Sequence, residues 1–123
     1  MARKILIADD EPNIVISLEF LLTREGYAVA VAYDGIEALA RIHAERPDLV
    51  ILDVMMPRRN GFEVCQDLRQ DPRFKDLRIL MLTAKGRDTE VAKGLALGAD
   101  AYMTKPFSTR ELVARVKALI ETI

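Results

Sequence analysis

The stretch LVILDVMMP, residues 49–57, runs through four apolar residues into a single acid, Asp53, and leaves it through three more before Pro57. A short apolar run containing β-branched residues reads as a buried strand. A carboxylate at its end needs explaining, because burying an unpaired charge is expensive. The compensation has to come from acids and bases elsewhere in the chain.

Similar runs recur at residues 5–8, 28–32, 79–82 and 101–103, which with 49–52 gives five strands. Between and after them the apolar spacing is helical: Ile14, Leu18, Leu21 and Leu22 form one face, and Leu112, Val116, Leu119 and Ile120 form another. Asp34 with Glu37 and Ser108 with Glu111 have capping-box spacing, and Gly26 and Gly98 stand where helices should end. Strands that each precede a helix are unsuited to hairpins. They imply a parallel sheet with right-handed crossovers and helices on both faces, a doubly wound α/β fold. The last helix is expected to run to Ile123.

A chain of 123 residues fits one domain, 1–123, with a core large enough to need no disulfide or structural metal, and no output domain is expected in it. Formal net charge is -1, so no global field draws the molecule to nucleic acid or to an anionic membrane. The N-terminal MARKILIADDE has no apolar stretch long enough for a signal peptide or a span, which implies a cytoplasmic protein. Cys65 has no partner for an internal disulfide and reads as a small core residue.

In doubly wound sheets, ligands bind beyond the carboxyl ends of the strands, near the point where strand order reverses. Strand one ends in Asp9 and Asp10, strand three in Asp53 and strand four in Thr83, while Lys105 follows strand five within two residues. Each has an ordinary explanation alone: Asp9 and Asp10 as caps of the first helix, Thr83 as a cap or turn, Lys105 as a solvated lysine. Together they place three carboxylates, a hydroxyl and an ammonium on one sheet edge, which points to a binding site. One lysine cannot offset three mutually repelling acids. A hard divalent cation would, and Mg²⁺, with Mn²⁺ as the alternative, suits few carboxylates with room left for water and a phosphoryl oxygen. His43 is the only histidine and Cys65 is away from the edge, which argues against zinc. Asp53 is then the natural nucleophile for a phosphoryl group, with Lys105 and Thr83 contacting its oxygens.

Four ordered motifs, ILIADDEP, ILDVMMP with Gly61 after it, MLTA with Thr83 and Ala84, and GADAYMTKPF, span most of the chain. On these motifs the chain resembles the receiver domain of two-component response regulators. The resemblance implies a flavodoxin-like (βα)5 fold with strand order 2-1-3-4-5. It implies that Asp53 takes phosphate from a histidine kinase or phosphotransfer protein, and that Mg²⁺ is held by Asp10, Asp53 and the Met55 carbonyl, with Asp9 acting through water. Thr83 and Lys105 would bind phosphoryl oxygens, the bond before Pro106 would be cis, and Tyr102 would be a rotamer switch. Phosphate would draw Thr83 inward and reshape the face of helix four, strand five and helix five, read by a downstream protein or a fused output domain. Helix four, residues 87–97, carries Gly94, which weakens it and suits a moving element.

A monomer or a weak phosphorylation-dependent dimer is expected. Glu111 and Arg115 suit the charged pairs of the family's dimers, but Val91 and Ala101 stand at partner positions. Met55 and Lys85 occupy the positions that tune phosphoryl lifetime, and the Arg58–Arg59 pair reads as a solvated loop, or else as an attraction for an acidic partner. An aspartyl phosphatase would want a second acid where Met55 stands, and a dinucleotide fold a glycine-rich turn where the chain has ADDEP. A degenerate receiver working without phosphate would not need the full set of acids, threonine and lysine. The chain is expected to be a signalling domain that assists its own aspartyl phosphorylation and dephosphorylation.

Overall fold

The computed structural model describes residues 2–84 and 88–122. In chain order the elements are β1 (Lys4–Ala8), α1 (Pro12–Arg24), β2 (Ala28–Ala32), α2 (Gly35–Glu45), β3 (Leu49–Asp53), α3 (Gly61–Arg69), a short 3-10 turn (Pro72–Phe74), β4 (Arg78–Ala84), α4 (Asp88–Ala96), β5 (Ala101–Lys105) and α5 (Thr109–Glu121). The strands form one parallel sheet in the order β2-β1-β3-β4-β5. From β1 the chain steps outward to β2 and then returns to place β3 on the other side. The order therefore reverses between β1 and β3, and the crevice lies above their carboxyl ends.

Alternation along each strand builds two cores. Ile5, Ile7, Ile51, Leu80 and Leu82 point to the side covered by α1 and α5, where Val15, Leu18, Leu22, Leu112 and Val116 are buried. Leu6, Ala8, Val50, Leu52, Ile79 and Met81 point to the other side, against Ala38 and Ile42 of α2 and Val64, Cys65 and Leu68 of α3. Burial pushes the Cys65 thiol pKa up, and its Sγ lies 3.7 Å from the Leu97 carbonyl, so it belongs to the core. Gly94 has a packing role as well: a Cβ there would come within 2.6 Å of the Met81 sulfur, so glycine lets α4 sit close on β4.

Several local expectations shift by a residue or two. Parallel pairing of Asp53 with Leu82, Thr83 with Thr104 and Ala84 with Lys105 carries β3, β4 and β5 further than their apolar runs suggest, so Lys105 ends β5 instead of following it. Neither Asp9 nor Asp10 caps α1. Glu11 is its N-cap residue, without a side-chain cap bond, and Asp9 Oδ1 accepts the Glu11 backbone N–H at 2.9 Å. Asp34 accepts the Glu37 N–H at 2.8 Å, but the Glu37 carboxylate reaches one residue further out, to the Tyr33 N–H at 2.6 Å. Ser108 accepts from Glu111 at 3.3 Å. The reciprocal capping box is at Asn60 and Glu63, a legible Asn-x-x-Glu signal that the sequence reading passed over. Gly26 and Gly98 end α1 and α4 at φ 95° and 108°. Helix α5 stops at Glu121, and the expectations for Arg87, Lys85 and Ile123 fall outside the described residues.

Gly61 starts α3 directly under the end of β3. Its N–H donates to the Val54 carbonyl at 2.9 Å, and a Cβ at this position would strike the Asp53 carbonyl oxygen and come within 2.9 Å of the Val54 Cα. Backbone cannot yield as a side-chain tip can. Gly61→Ala is therefore expected to destabilise the fold by about 1 to 3 kcal/mol, measured by urea unfolding. An unchanged midpoint would mean that the loop after Asp53 has room to move.

Candidate functional site

The carboxyl edge of the sheet gathers the polar residues that the strands deliver. Asp9 is fully buried, Asp53 is 4% exposed and Thr83 is 1% exposed, while Asp10 faces solvent. One oxygen from each of Asp9, Asp10 and Asp53 lies within 4.8 Å of the others. At that separation two carboxylates repel by roughly 3 kcal/mol at an effective dielectric of about 20. Positive charge is therefore the main requirement of the site.

Lys105 supplies part of it from the end of β5. Its Nζ lies 3.0 Å from Asp9 Oδ2, 3.0 Å from Glu11 Oε1 and 3.5 Å from Asp53 Oδ1. Burial works to lower the lysine pKa, but bonds to Asp9 and Glu11 and the charge of Asp53 outweigh it, and the net shift is upward. The ammonium stays charged. Asp53 is left short of compensation: burial, and next the charge of Asp9, push its pKa up to about 7 against the pull of Lys105 and a 3.4 Å bond from the Met55 N–H. A second cation would reverse that balance.

The donor set fits a hard divalent ion, since three carboxylates converge with oxygen ligands only, and no histidine or cysteine joins them among the described residues. Thr83 adds an independent observation. Its Oγ1 is buried at this edge with no hydrogen-bond partner among the described residues, a state that costs about 1 to 3 kcal/mol. An anionic oxygen would satisfy it. The Lys105–Pro106 peptide is cis.

Tyr102 is 40% exposed. It lies between Ala101 and Met103, which pack on the α1–α5 side, so its ring takes the opposite face of the sheet, the α4 side. Thr83 follows Leu82 and by the same alternation shares that face with Met81. Arg115 of α5 reaches the Tyr102 carbonyl at 3.5 Å. Met55 is 64% exposed beside the site.

Of the two arginines near the site, only Arg59 departs from the reading as a solvated pair. Arg59 makes a two-pronged bond to Asp67, at 2.7 and 2.9 Å, with Glu63 at 3.5 Å, so it braces the loop against α3. Arg58, at φ 68°, remains largely exposed, 3.7 Å from Asp34. Sequence reasoning missed Glu11, the third acid of ADDEP, which joins Lys105 directly. A run of three acids was the available signal, but only the folded chain puts the last of them beside β5.

A family model described as the response regulator receiver domain matches residues 5–117. Among solved structures, the chain is similar to a putative response regulator from Chloroflexus aurantiacus J-10-fl, at 40% identity and TM-score 0.94, over 98% of this chain and 99% of that one. It is also similar to the signal receiver domain of a signal transduction histidine kinase from Syntrophus aciditrophicus, at 33% identity and TM-score 0.92, over 99% and 92% of the two chains. The chemotaxis protein CheY4 of Vibrio cholerae matches at 34% identity and TM-score 0.90, over 97% of this chain and 99% of that one.

Proposed function

Because the chain belongs to the response regulator receiver domain family of two-component signalling, we propose that Asp53 accepts a phosphoryl group from a histidine kinase or phosphotransfer protein. The observation that carries this reading is the buried Thr83 hydroxyl, without a hydrogen-bond partner among the described residues, at the same sheet edge as Asp53 and the charged Lys105. Asp53 attacks phosphorus, a P–O bond forms, the P–N bond of the phosphohistidine breaks, and the imidazole leaves with the electron pair and takes up a proton. Lys105 and Thr83 each hold one of the oxygens of the transferred group.

Asp10, Asp53 and the Met55 carbonyl would hold Mg²⁺, or Mn²⁺ in its place, with Asp9 acting through water. The ion supplies charge neutralisation for the carboxylates and the phosphoryl oxygens. Asp53 then serves as a carboxylate, despite a pKa of about 7 in the metal-free site. The protein is a signalling domain that assists its own aspartyl phosphorylation and dephosphorylation.

Switching would run through the α4 face. Drawing Thr83 toward the phosphoryl group clears space on the face it shares with Tyr102, and the exposed ring of Tyr102 turns in to fill it. The surface of α4, β5 and α5 changes and is read by a downstream protein or a fused output domain. The domain works in the cytoplasm as a monomer or a weak phosphorylation-dependent dimer, without direct contact to nucleic acid. Among the described residues no helix is long and apolar enough to cross a membrane.

Incubation with acetyl phosphate and Mg²⁺ tests the reading. Intact-mass spectrometry is expected to show one alkali-labile phosphoryl group, whose uptake is lost in chelator. No uptake, or uptake indifferent to chelator, would overturn it.

A further inference from the structure

We infer that Glu11 is the resting partner of Lys105 and competes with the phosphoryl group for that lysine, so that it sets how readily the site takes up and retains phosphate. The inference rests on the phosphoryl-acceptor reading of Asp53 and assigns a positioning role to a residue outside the proposed metal and phosphoryl ligands.

An ammonium has three donors, and in this structure three carboxylates surround it: Asp9 at 3.0 Å, Glu11 at 3.0 Å and Asp53 at 3.5 Å. Among the described residues its one well-aligned hydrogen bond goes to Glu11 Oε1, while Asp9 and Asp53 hold it as ion-pair contacts, so an incoming oxygen on this crowded ammonium competes most directly with Glu11. Asp9 is fully buried, and its other oxygen is held by the Glu11 N–H at 2.9 Å, so releasing it would strand a charge away from water. Asp53 carries the incoming group and stays close. Glu11 is the partner that can be released cheaply, because its side chain is 59% exposed and water replaces the lysine.

The placement of Glu11 has a second peculiarity. It occupies the N-cap position of α1, where a side chain ordinarily turns back to a free helix N–H, yet it makes no such bond and reaches across to β5. Its backbone N–H is tied to Asp9 and its carboxylate to Lys105, which together set that carboxylate beside the acidic pocket. There it adds a fourth negative charge facing an anionic phosphodonor. Both the competition for Lys105 and this repulsion disfavour the phosphorylated state.

Beryllofluoride, a mimic of the phosphoryl group, tests this in a titration at saturating Mg²⁺ followed by NMR shifts of β4 and β5 amides. Glu11→Gln keeps the side-chain size and removes the charge. It is expected to lower the half-saturating concentration by about two- to fivefold, the range for a partly exposed ion pair, and to lengthen phosphoryl lifetime. Glu11→Asp keeps the charge but is one methylene too short to reach Lys105, and it is expected to show a smaller gain in the same direction. Equal half-saturation in the parent and Glu11→Gln would overturn the inference while leaving the acceptor reading intact, as would Glu11→Asp titrating like the parent. A parent that binds no beryllofluoride removes the acceptor reading, and this inference falls with it.

Discussion

Asp53→Asn is expected to abolish phosphoryl uptake from acetyl phosphate and, in chelator, to make the metal-free protein more stable than the parent above neutral pH. The first effect follows from losing the proposed nucleophile. The second follows from the environment of Asp53, whose pKa is raised from 3.8 to about 7 by burial and then by the charge of Asp9. An acid with a raised folded-state pKa is favoured in its protonated form by folding. Its contribution is fully present below about pH 4 and is lost as pH rises through about 7. Over that window the parent should lose up to about 4 kcal/mol that Asp53→Asn keeps. The stability difference between the two proteins, from urea unfolding in chelator at a series of pH values, removes the titrations they share. It should be small near pH 4 and largest above pH 7. A difference that does not change with pH would mean that Asp53 is compensated without a metal, and residual uptake in the variant would move the acceptor elsewhere.

Asp10→Asn is expected to uncouple the fold from Mg²⁺. In the parent, an ion that binds only the folded site stabilises by RT ln(1 + [L]/Kd), about 2.7 kcal/mol at a hundredfold excess over Kd. For a domain of this size that is roughly 10 °C in melting temperature. Asp10 is the exposed member of the acidic group, so in chelator its replacement relieves only on the order of 1 kcal/mol of screened repulsion. The variant should therefore melt slightly above the parent in chelator and well below it in saturating Mg²⁺. Thermal melts of both proteins across a Mg²⁺ series decide this. Parallel responses of the two proteins would take Asp10 out of the ion's ligands.

The two predictions separate what a buried and an exposed acid do in one pocket. Asp53 carries a large desolvation cost, which shows as pH dependence. Asp10 carries little, and its effect shows as metal dependence. Thr83 lies between them in kind, a neutral group whose cost is a hydrogen bond unmet among the described residues.

Strand period and helix period by themselves determined the architecture. The runs at β1, β2, β3, β4 and β5 are short, apolar and separated by amphipathic helices, and a chain of that pattern can satisfy its backbone and bury both sheet faces only as a parallel doubly wound sheet. The acids, Thr83 and Lys105 were legible for the same reason, since each stands where an apolar run stops, at the edge where such folds bind ligands. Strand ends were less legible, because pairing between Thr83 and Thr104 and between Ala84 and Lys105 is a property of two strands in register and leaves no mark in either alone. Only the tertiary structure decided which acid Lys105 holds beyond Asp9 and Asp53, that Arg59 is tied to Asp67, and that Gly61 and Gly94 are there to let backbone and helix come close. Those facts depend on distances that exist only once the chain has folded. Periodicity reports which face a residue takes, whereas contact, burial and charge compensation are fixed only when the faces meet.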